Sequence, residues 1–457
     1  MIAPARRISY RILLQIATSE AHSDELLRSP EVDALSAQDR ALATTLVLGT
    51  LRWQLALDPR ISGLLAHPEA KLSAQAATAL RMGAYQLLHL DRVPAHAVIH
   101  DSVELVKQGK EKGAAGMVNA VLRKLQRSAL SVRRSETDRP GQGASRAAEP
   151  AVSAHPDWMV QRWVQRYGAD AAQATCRWDQ EPAGTAVRAQ PDLDFAGVET
   201  EPGYFLTMAR RVVRGDVGRA AAVREGRAWI QDEGSQLVGE IAAGAVPDAR
   251  RVLDLCAAPG GKTAILAERL SGAEISAVDV SRARLDQMGK RAEFHRLRAE
   301  GRLRLEAADV AKLVLQPEWD LILCDVPCTG TGTMARNPEI RLRVCKADLP
   351  RQHERQAAIL RTGLRGLKPG GRLIYSTCSL EPEENEQVVA EVLAATPGFR
   401  VVPVGETLDR LAETGVVTAE GRERLRSATE ASFLRTLPGV HPCDGFFAAV
   451  IATASRD

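Results

Sequence analysis

The chain has 457 residues, 45% of them hydrophobic and 26% charged, with 60 basic against 57 acidic side chains and a net charge of +3. That length suggests two or three domains, and the composition is that of globular protein with a sizeable core. The near-balanced charge excludes a nucleic-acid reading from the total alone, no apolar run reaches the roughly eighteen residues of a membrane span, and seven scattered cysteines point to a reducing cytoplasm rather than a disulfide framework.

In chain order, the N-terminus places Ile8, Ile12 and Ile16 four residues apart, with Arg11 and Gln15 between them. That spacing predicts an amphipathic helix and not the unbroken apolar core of a signal peptide. Residues 1–127 read as helix after helix, broken at "HPEA", "RVPAH" and "KGAAG", so an all-α domain is expected. Residues 128–155 are rich in Ser, Arg, Pro, Gly and Ala and poor in large aliphatic side chains, the composition of a flexible linker. Residues 156–226 give a short helix and weaker strand-like pieces, a small α+β domain. From 227 to 457, "RVLDLCAA", "EISAVDV", "LRLEAAD", "DLILCDV", "GRLIYSTC" and "GFFAAVIA" alternate with helical stretches. That alternation predicts a Rossmann-type α/β domain with a parallel sheet. No internal repeat is present.

The first of these strands runs into "LDLCAAPGGKT" and then a helix. Gly260 and Gly261 allow tight turning and close backbone approach to a ligand. Asp279 ends the next strand, where a carboxylate can take both ribose hydroxyls. Asp309 ends the third, where an acceptor could meet an adenine amino group. The loop has neither the spacing of a nicotinamide-binding turn nor that of a P-loop, so a nucleoside cofactor without a pyrophosphate is expected, with S-adenosylmethionine (SAM) the candidate.

The fourth strand ends in "LCDVPCTGTG". An enzyme acting on an adenine amine usually carries Asn/Asp-Pro-Pro and an aromatic here. This chain instead has Asp325, Val326, Pro327 and the thiol of Cys328. A thiol suits another chemistry: C5 of cytosine is a poor nucleophile, and thiolate addition at C6 makes it an enamine carbon that attacks a methyl group. An acid at N3 would help, and Asp325 is placed for it, provided that burial raises its pKa. A second thiol, Cys378, follows the fifth strand in "YSTCSLEPEEN". Both cysteines thus lie just past the carboxyl ends of sheet strands, the edge at which open α/β folds bind ligands. Cys176, Cys256, Cys324, Cys345 and Cys443 read as ordinary thiols, Cys324 pointing into the sheet. The acidic run after Cys378 reads as a helix start. Cys324 and Cys328 have no partner pair, so no metal site is expected.

The motifs "DLCAAPGGKT", "DVPCTGTG" and "YSTCSLEPEENE" resemble the signatures of the Sun/Fmu (RsmB) family of RNA cytosine-5 methyltransferases. "GRAWIQDEGSQL" resembles that family's entry to the SAM fold. "DRALATTLVLGTLRW", "LRMGAYQLLHLDRVPAHAVIHDSVELVK" and "KGAAGMVNAVLRKL" resemble its NusB-like helical RNA-binding domain. The resemblance implies Cys378 as nucleophile and Cys328 as the residue that helps to resolve the adduct. It also implies a SAM site lined by Cys256, Ala257, Ala258, Pro259, Gly260, Gly261, Lys262, Asp279, Asp309 and Asp325. Val326 and Thr329 stand where the family usually has Ala and Ser.

Local charge supports an RNA substrate. Arg210, Arg211, Arg214, Arg219, Arg224 and Arg227 face only Asp216 and Glu225 over residues 203–227, and Lys107, Lys110, Lys112, Arg123, Lys124 and Arg127 cluster at the end of the helical domain. A DNA cytosine-5 enzyme is disfavoured, since its nucleophile sits in a Pro-Cys-Gln turn and Cys328 is followed by Thr329. The expectation is therefore a monomeric cytoplasmic enzyme, without metal or membrane contact, that methylates C5 of a cytosine in 16S ribosomal RNA. The alternatives are cytosine-5 methylation of tRNA or another RNA, and a non-catalytic RNA-binding ribosome-assembly factor.

Overall fold

The computed structural model describes residues 2–69, 71–109, 111–137, 154–429 and 431–454, and the side chains of all of these except 129–137. The chain forms two compact units: Met1–Pro182 with Met334–Arg343, and Ala183–Thr333 with Val344–Asp457.

The first unit is helical. Its main helices are Pro4–Thr18, Ala37–Ser62, Ala74–His89, Ala95–Gln108, Ala115–Thr137, Asp157–Tyr167 and Ala169–Gln180. Pro4 opens the first of them, and the side chains of Ser36 and Ser73 accept from Asp39 N and Ala76 N to cap the next two long ones. Ile12 and Ile16 are buried, as their spacing requires, among Leu46, Leu80, Met82, Val106 and Leu122. Each such side chain contributes about 1.5–3 kcal/mol on leaving water. No described helix is long and apolar enough to cross a membrane.

Two expected boundaries shift. The helix expected to end at 127 continues to Thr137 because neither glycine nor proline interrupts it before Pro140. That takes the first part of the expected linker, of which 138–153 lie outside the described residues. The expected 156–226 domain is divided: its helices bury Met159, Trp163 and Cys176 in the first unit, whereas its strands belong to the second.

The first unit also holds a piece of the expected catalytic domain, Met334–Arg343. Glu339 is fully buried and accepts from the backbone N and Oγ of Ser23 at 2.8 and 2.9 Å. The buried Arg341 donates to the carbonyls of Arg52, Ala154 and Asp179 at 3.1, 3.2 and 3.3 Å. Burial pulls the Arg341 guanidinium down to about 10, against the charge of Asp179. A ten-residue excursion of this kind has no periodic apolar signal, so the sequence reading left it with its neighbours.

The second unit has two sheets. The smaller is antiparallel, in the order β2 (Glu199–Pro202), β3 (Ala209–Arg214), β1 (Ala186–Arg188), β4 (Trp229–Ile230). The larger contains the six expected strands: β5 (Arg251–Leu255), β6 (Glu274–Asp279), β7 (Leu303–Ala307), β8 (Trp319–Asp325), β9 (Leu367–Thr377) and β12 (Phe447–Thr453). It adds two short ones, β10 (Phe399–Val402) and β11 (Leu434–Arg435), and runs β10-β12-β9-β8-β5-β6-β7 with β11 on β12. The β5–β9 strands pair in parallel, but β12 is antiparallel to β9, β10 and β11. The connection from β11 to β12 is a hairpin without a crossover helix, and it can only reverse the chain.

Alternate strand residues enter two cores. Val252, Leu321, Leu323 and Ile374 face one side, and Leu253, Ile322, Cys324 and Tyr375 the other. Cys324 is fully buried, on the inward face its position required. The register Leu255↔Cys324 and Asp325↔Ser376 brings the carboxyl ends of β5, β8 and β9 side by side.

Candidate active site

The loop after β5 turns sharply. Cys256 takes φ +73° and Gly260 takes φ +99°, immediately before the helix Gly261–Arg269. A Cβ on Gly260 would meet the Phe294 ring at 2.8 Å, so both conformation and space call for glycine there. A cleft of about 140 Å³ opens at this loop. Of the expected cofactor residues it is lined by Cys256, Ala257, Ala258, Pro259, Gly261, Lys262 and Asp325.

Asp279 and Asp309 are not in that lining. Asp279 accepts from Ala258 N at 3.1 Å and Ser281 N at 2.9 Å, so it braces the loop from β6. Asp309 is exposed beside Lys312 at 3.1 Å, whose hydrogen bond holds its carboxyl below the usual range.

A residue the sequence reading passed over does line the cleft. Asp254 is 1% exposed, accepts from Thr263 Oγ1 at 2.6 Å through Oδ2, and among the described residues has no hydrogen-bond partner at Oδ1. Burial pushes its carboxyl up to about 7, with the Thr263 bond opposing. A charged residue between Leu253 and Leu255 was the available signal, because an unpaired acid is expensive inside an apolar strand.

Within the cleft lining, Lys262 Nζ lies 2.7 Å from Asp325 Oδ2 and donates to Ser235 Oγ at 3.0 Å. Ser376 Oγ donates to Asp325 Oδ1 at 2.7 Å. Asp325 was expected as a carboxylic acid favoured by burial. It is instead a part-exposed member of an ion pair with both oxygens engaged. Burial alone would lower the Lys262 pKa, but the charges of Asp325 and Cys378 outweigh it and the net shift is upward. Lys262 is an ammonium.

Cys328 and Cys378 meet with their sulfurs 3.4 Å apart. Their loops are tied together: Gly332 N donates to Cys378 O at 2.9 Å and Gly445 N donates to Gly332 O at 2.8 Å. A Cβ on Gly332 would sit 2.4 Å from the Gly445 carbonyl oxygen, which excludes any side chain at this crossing. The Cys328 thiol is pushed well above its ordinary value, first by its hydrogen bond to Cys378, then by burial and by the charges of Cys378 and Glu384. The acidic run after Cys378 is more than a helix start: Pro382–Glu384 forms a 3₁₀ turn, and Glu384 is fully buried beneath the two cysteine loops.

Among the described residues no group of three or more His, Cys, Asp or Glu side chains gathers as a metal site. In the small sheet Arg210 and Arg211 are engaged by Thr200 Oγ1 and Glu201 and Arg214 is exposed; Arg219, Arg224 and Arg227, in the segment after it, are exposed too, with Arg227 2.7 Å from Glu225. Lys112, Arg123, Lys124 and Arg127 are exposed on the helical unit.

A parallel sheet with an antiparallel strand inserted at β12, a glycine loop after β5 and an acid closing β8 define a Rossmann-type methyltransferase fold. The 16S rRNA methyltransferase RsmB/F family matches residues 244–452, and the NusB family matches residues 3–127. The chain is 30% identical to the probable ribosomal RNA small subunit methyltransferase B of Bacillus subtilis, over 97% of each chain. It is 31% identical to ribosomal RNA small subunit methyltransferase B of Pseudomonas putida, over 92% of this chain and 94% of that one. Among solved structures, PH0851 superposes with a TM-score of 0.75 over 99% of each chain at 21% identity. NSun6 from Pyrococcus horikoshii superposes with a TM-score of 0.51 at 18% identity over 66% of this chain and 98% of that one, and these two likenesses bear on the fold. The chain belongs to the RsmB/F methyltransferase family and carries that family's domain behind a NusB-type helical region. Its methyl donor is SAM.

Proposed function

We propose that this protein methylates C5 of a cytosine in 16S ribosomal RNA through a transient bond between Cys378 and C6 of the base. The observation that carries the reading is the 3.4 Å approach of two thiols at the ends of adjacent strands, beside the Lys262–Asp325 pair and the cofactor cleft. Ribosomal RNA as substrate rests on the names of the relatives and on the exposed arginines from Arg214 to Arg227.

The cleft residues fit the donor. Asp254 Oδ1 would take its ammonium, and the backbone from Cys256 to Gly261 leaves room for close approach. When bound there, SAM would supply an electrophilic methyl group.

The protein's own part is covalent and acid–base chemistry. Cys378 Sγ gives up its proton and bonds to C6 while N3 takes up a proton, and the C5=C6 electron pair shifts so that C5 becomes able to attack the methyl group. The Lys262–Asp325 pair would face the N3–N4 edge of the base and stabilise the proton that N3 takes up. Once Cys378 is a neutral thioether, its own hydrogen bond and charge no longer raise the Cys328 thiol, and burial and the charge of Glu384 are what remain. Cys328 can then release its proton to solvent and accept the proton from C5. As the C6–sulfur bond breaks, its electron pair returns to Cys378, N3 loses its proton, and the product cytosine leaves.

The direct test is transfer of labelled methyl from SAM to 16S RNA, naked and in assembled small subunits, followed by nucleoside analysis. The expected product is 5-methylcytidine. Label in another nucleoside, or in tRNA alone, would reject the reading.

A pH prediction follows from Asp254. With its pKa near 7, the carboxyl is neutral below that value and charged above it, and a cationic donor binds the charged form. Affinity for SAM should therefore rise with pH, by about fivefold between pH 6 and 7. Asp254→Asn should bind weakly and flatten this dependence, as titration calorimetry would record.

A further inference from the structure

Glu384 has no function in the proposed chemistry, yet it is a fully buried carboxylate directly beneath both thiols' loops. Its Oε1 accepts from the backbone N of Thr329 at 2.8 Å and from Gln356 Nε2 at 3.0 Å. Its Oε2 accepts from the hydroxyls of Thr329 and Ser379. Thr329 follows Cys328 and Ser379 follows Cys378, so one carboxylate grips the neighbour of each cysteine. The surroundings hold it in turn. Tyr375 Oη donates to the Glu384 carbonyl at 2.6 Å, and Gln356 Nε2 also donates to Pro327 O at 2.9 Å, on the other side of Cys328.

Buried carboxylates of this kind are costly, and four donors are what make the position tolerable. Glu384 joins the two segments whose relative placement sets the sulfur–sulfur distance, and a displacement of about 1 Å at a reacting group can cost about 10²-fold in rate.

We infer that Glu384 is a positioning residue: its carboxylate clamps Thr329 and Ser379 so that Cys328 and Cys378 stay within reach of one another. The inference rests on the assignment of those two cysteines as the reacting pair. It predicts that Glu384→Ala lowers kcat about 100-fold, while KM for SAM and for RNA stays within threefold. Glu384→Gln keeps an acceptor for Thr329 N and Gln356, and its amide can donate to the two hydroxyls. It should restore kcat to within fivefold of the native enzyme.

A second readout needs neither RNA nor turnover. Phenylarsine oxide bridges two close thiols, forming two arsenic–sulfur bonds while its oxygen leaves as water with both thiol protons. The native protein should take up one equivalent, detected by intact mass. Cys328→Ala should lose it, Glu384→Ala should capture it at least tenfold more slowly, and Glu384→Gln at nearly the native rate. If Glu384→Ala does not fold, the Thr329→Val/Ser379→Ala double variant removes both hydroxyl arms and carries the same expectations. Native kcat and native arsenical capture in Glu384→Ala, or in that double variant, would overturn the inference. So would a lost kcat with capture unchanged. Failure of the native enzyme to methylate cytosine would instead sink the proposed function, and arsenical capture would still read the clamp.

Discussion

Cys378→Ala should abolish methyl transfer, with a loss of at least about 10⁴-fold, whereas Cys328→Ala should leave a protein–RNA adduct that survives a denaturing gel. The two outcomes differ because, in the proposed mechanism, the thiols act at different points of one cycle. Without the sulfur of Cys378 no bond to C6 forms and C5 stays a poor nucleophile. Without Cys328 the bond forms and the methyl group is taken up, but the acceptor for the C5 proton is missing and elimination stalls. The largest influence raising the Cys328 thiol is its hydrogen bond to Cys378, followed by burial, so the state of one sulfur bears on that of the other. The measurement is a gel shift of labelled RNA with SAM present, alongside single-turnover transfer. An adduct trapped by Cys378→Ala, or none with Cys328→Ala, would reverse or remove the assignment.

The strands that place these thiols were legible because their signal is local. Runs such as "DLILCDV" and "RLIYSTC" are apolar, short and bounded by turn residues, and a cysteine that closes such a run must sit at the sheet's edge. The 3.4 Å meeting of Cys328 and Cys378 was accessible in outline, since each follows a strand of one sheet within three residues, but the adjacency of β8 and β9 fixes it. What escaped the sequence depends on partners distant in the chain. Glu384 lies in a run that a helix start explains equally well, and its role depends on Thr329, which is fifty-five positions away. Asp279 ends its strand as expected and Asp309 lies two residues beyond its own, but backbone amides or a neighbouring lysine occupy them, and their place at the strand ends says nothing of that. The antiparallel course of β12 follows from a hairpin with β11, a two-residue strand too short to show any periodicity.

The Lys262–Asp325 pair carries the second large effect. Asp325→Asn should lower kcat by about 10²–10³-fold, the range of a positioned proton-handling group, while affinity for SAM changes less than fivefold. Asparagine keeps the shape and can still accept from Ser376 Oγ, but it removes the charge that offsets burial of the Lys262 ammonium. Lys262→Met should lose a similar factor for the complementary reason, since it leaves the carboxylate without the cation 2.7 Å away. If the two act as one unit on the edge of the base, removing both should cost no more than about threefold beyond the worse single change. Multiplying losses would mean separate tasks, with Lys262 serving the donor and Asp325 the base. A large rise in the SAM dissociation constant with kcat retained would place Asp325 in the cofactor site alone. Steady-state rates and SAM titrations on the three variants distinguish these cases, and only near-equal losses fit a pair that holds the proton at N3 while the sulfur of Cys378 is bonded to C6.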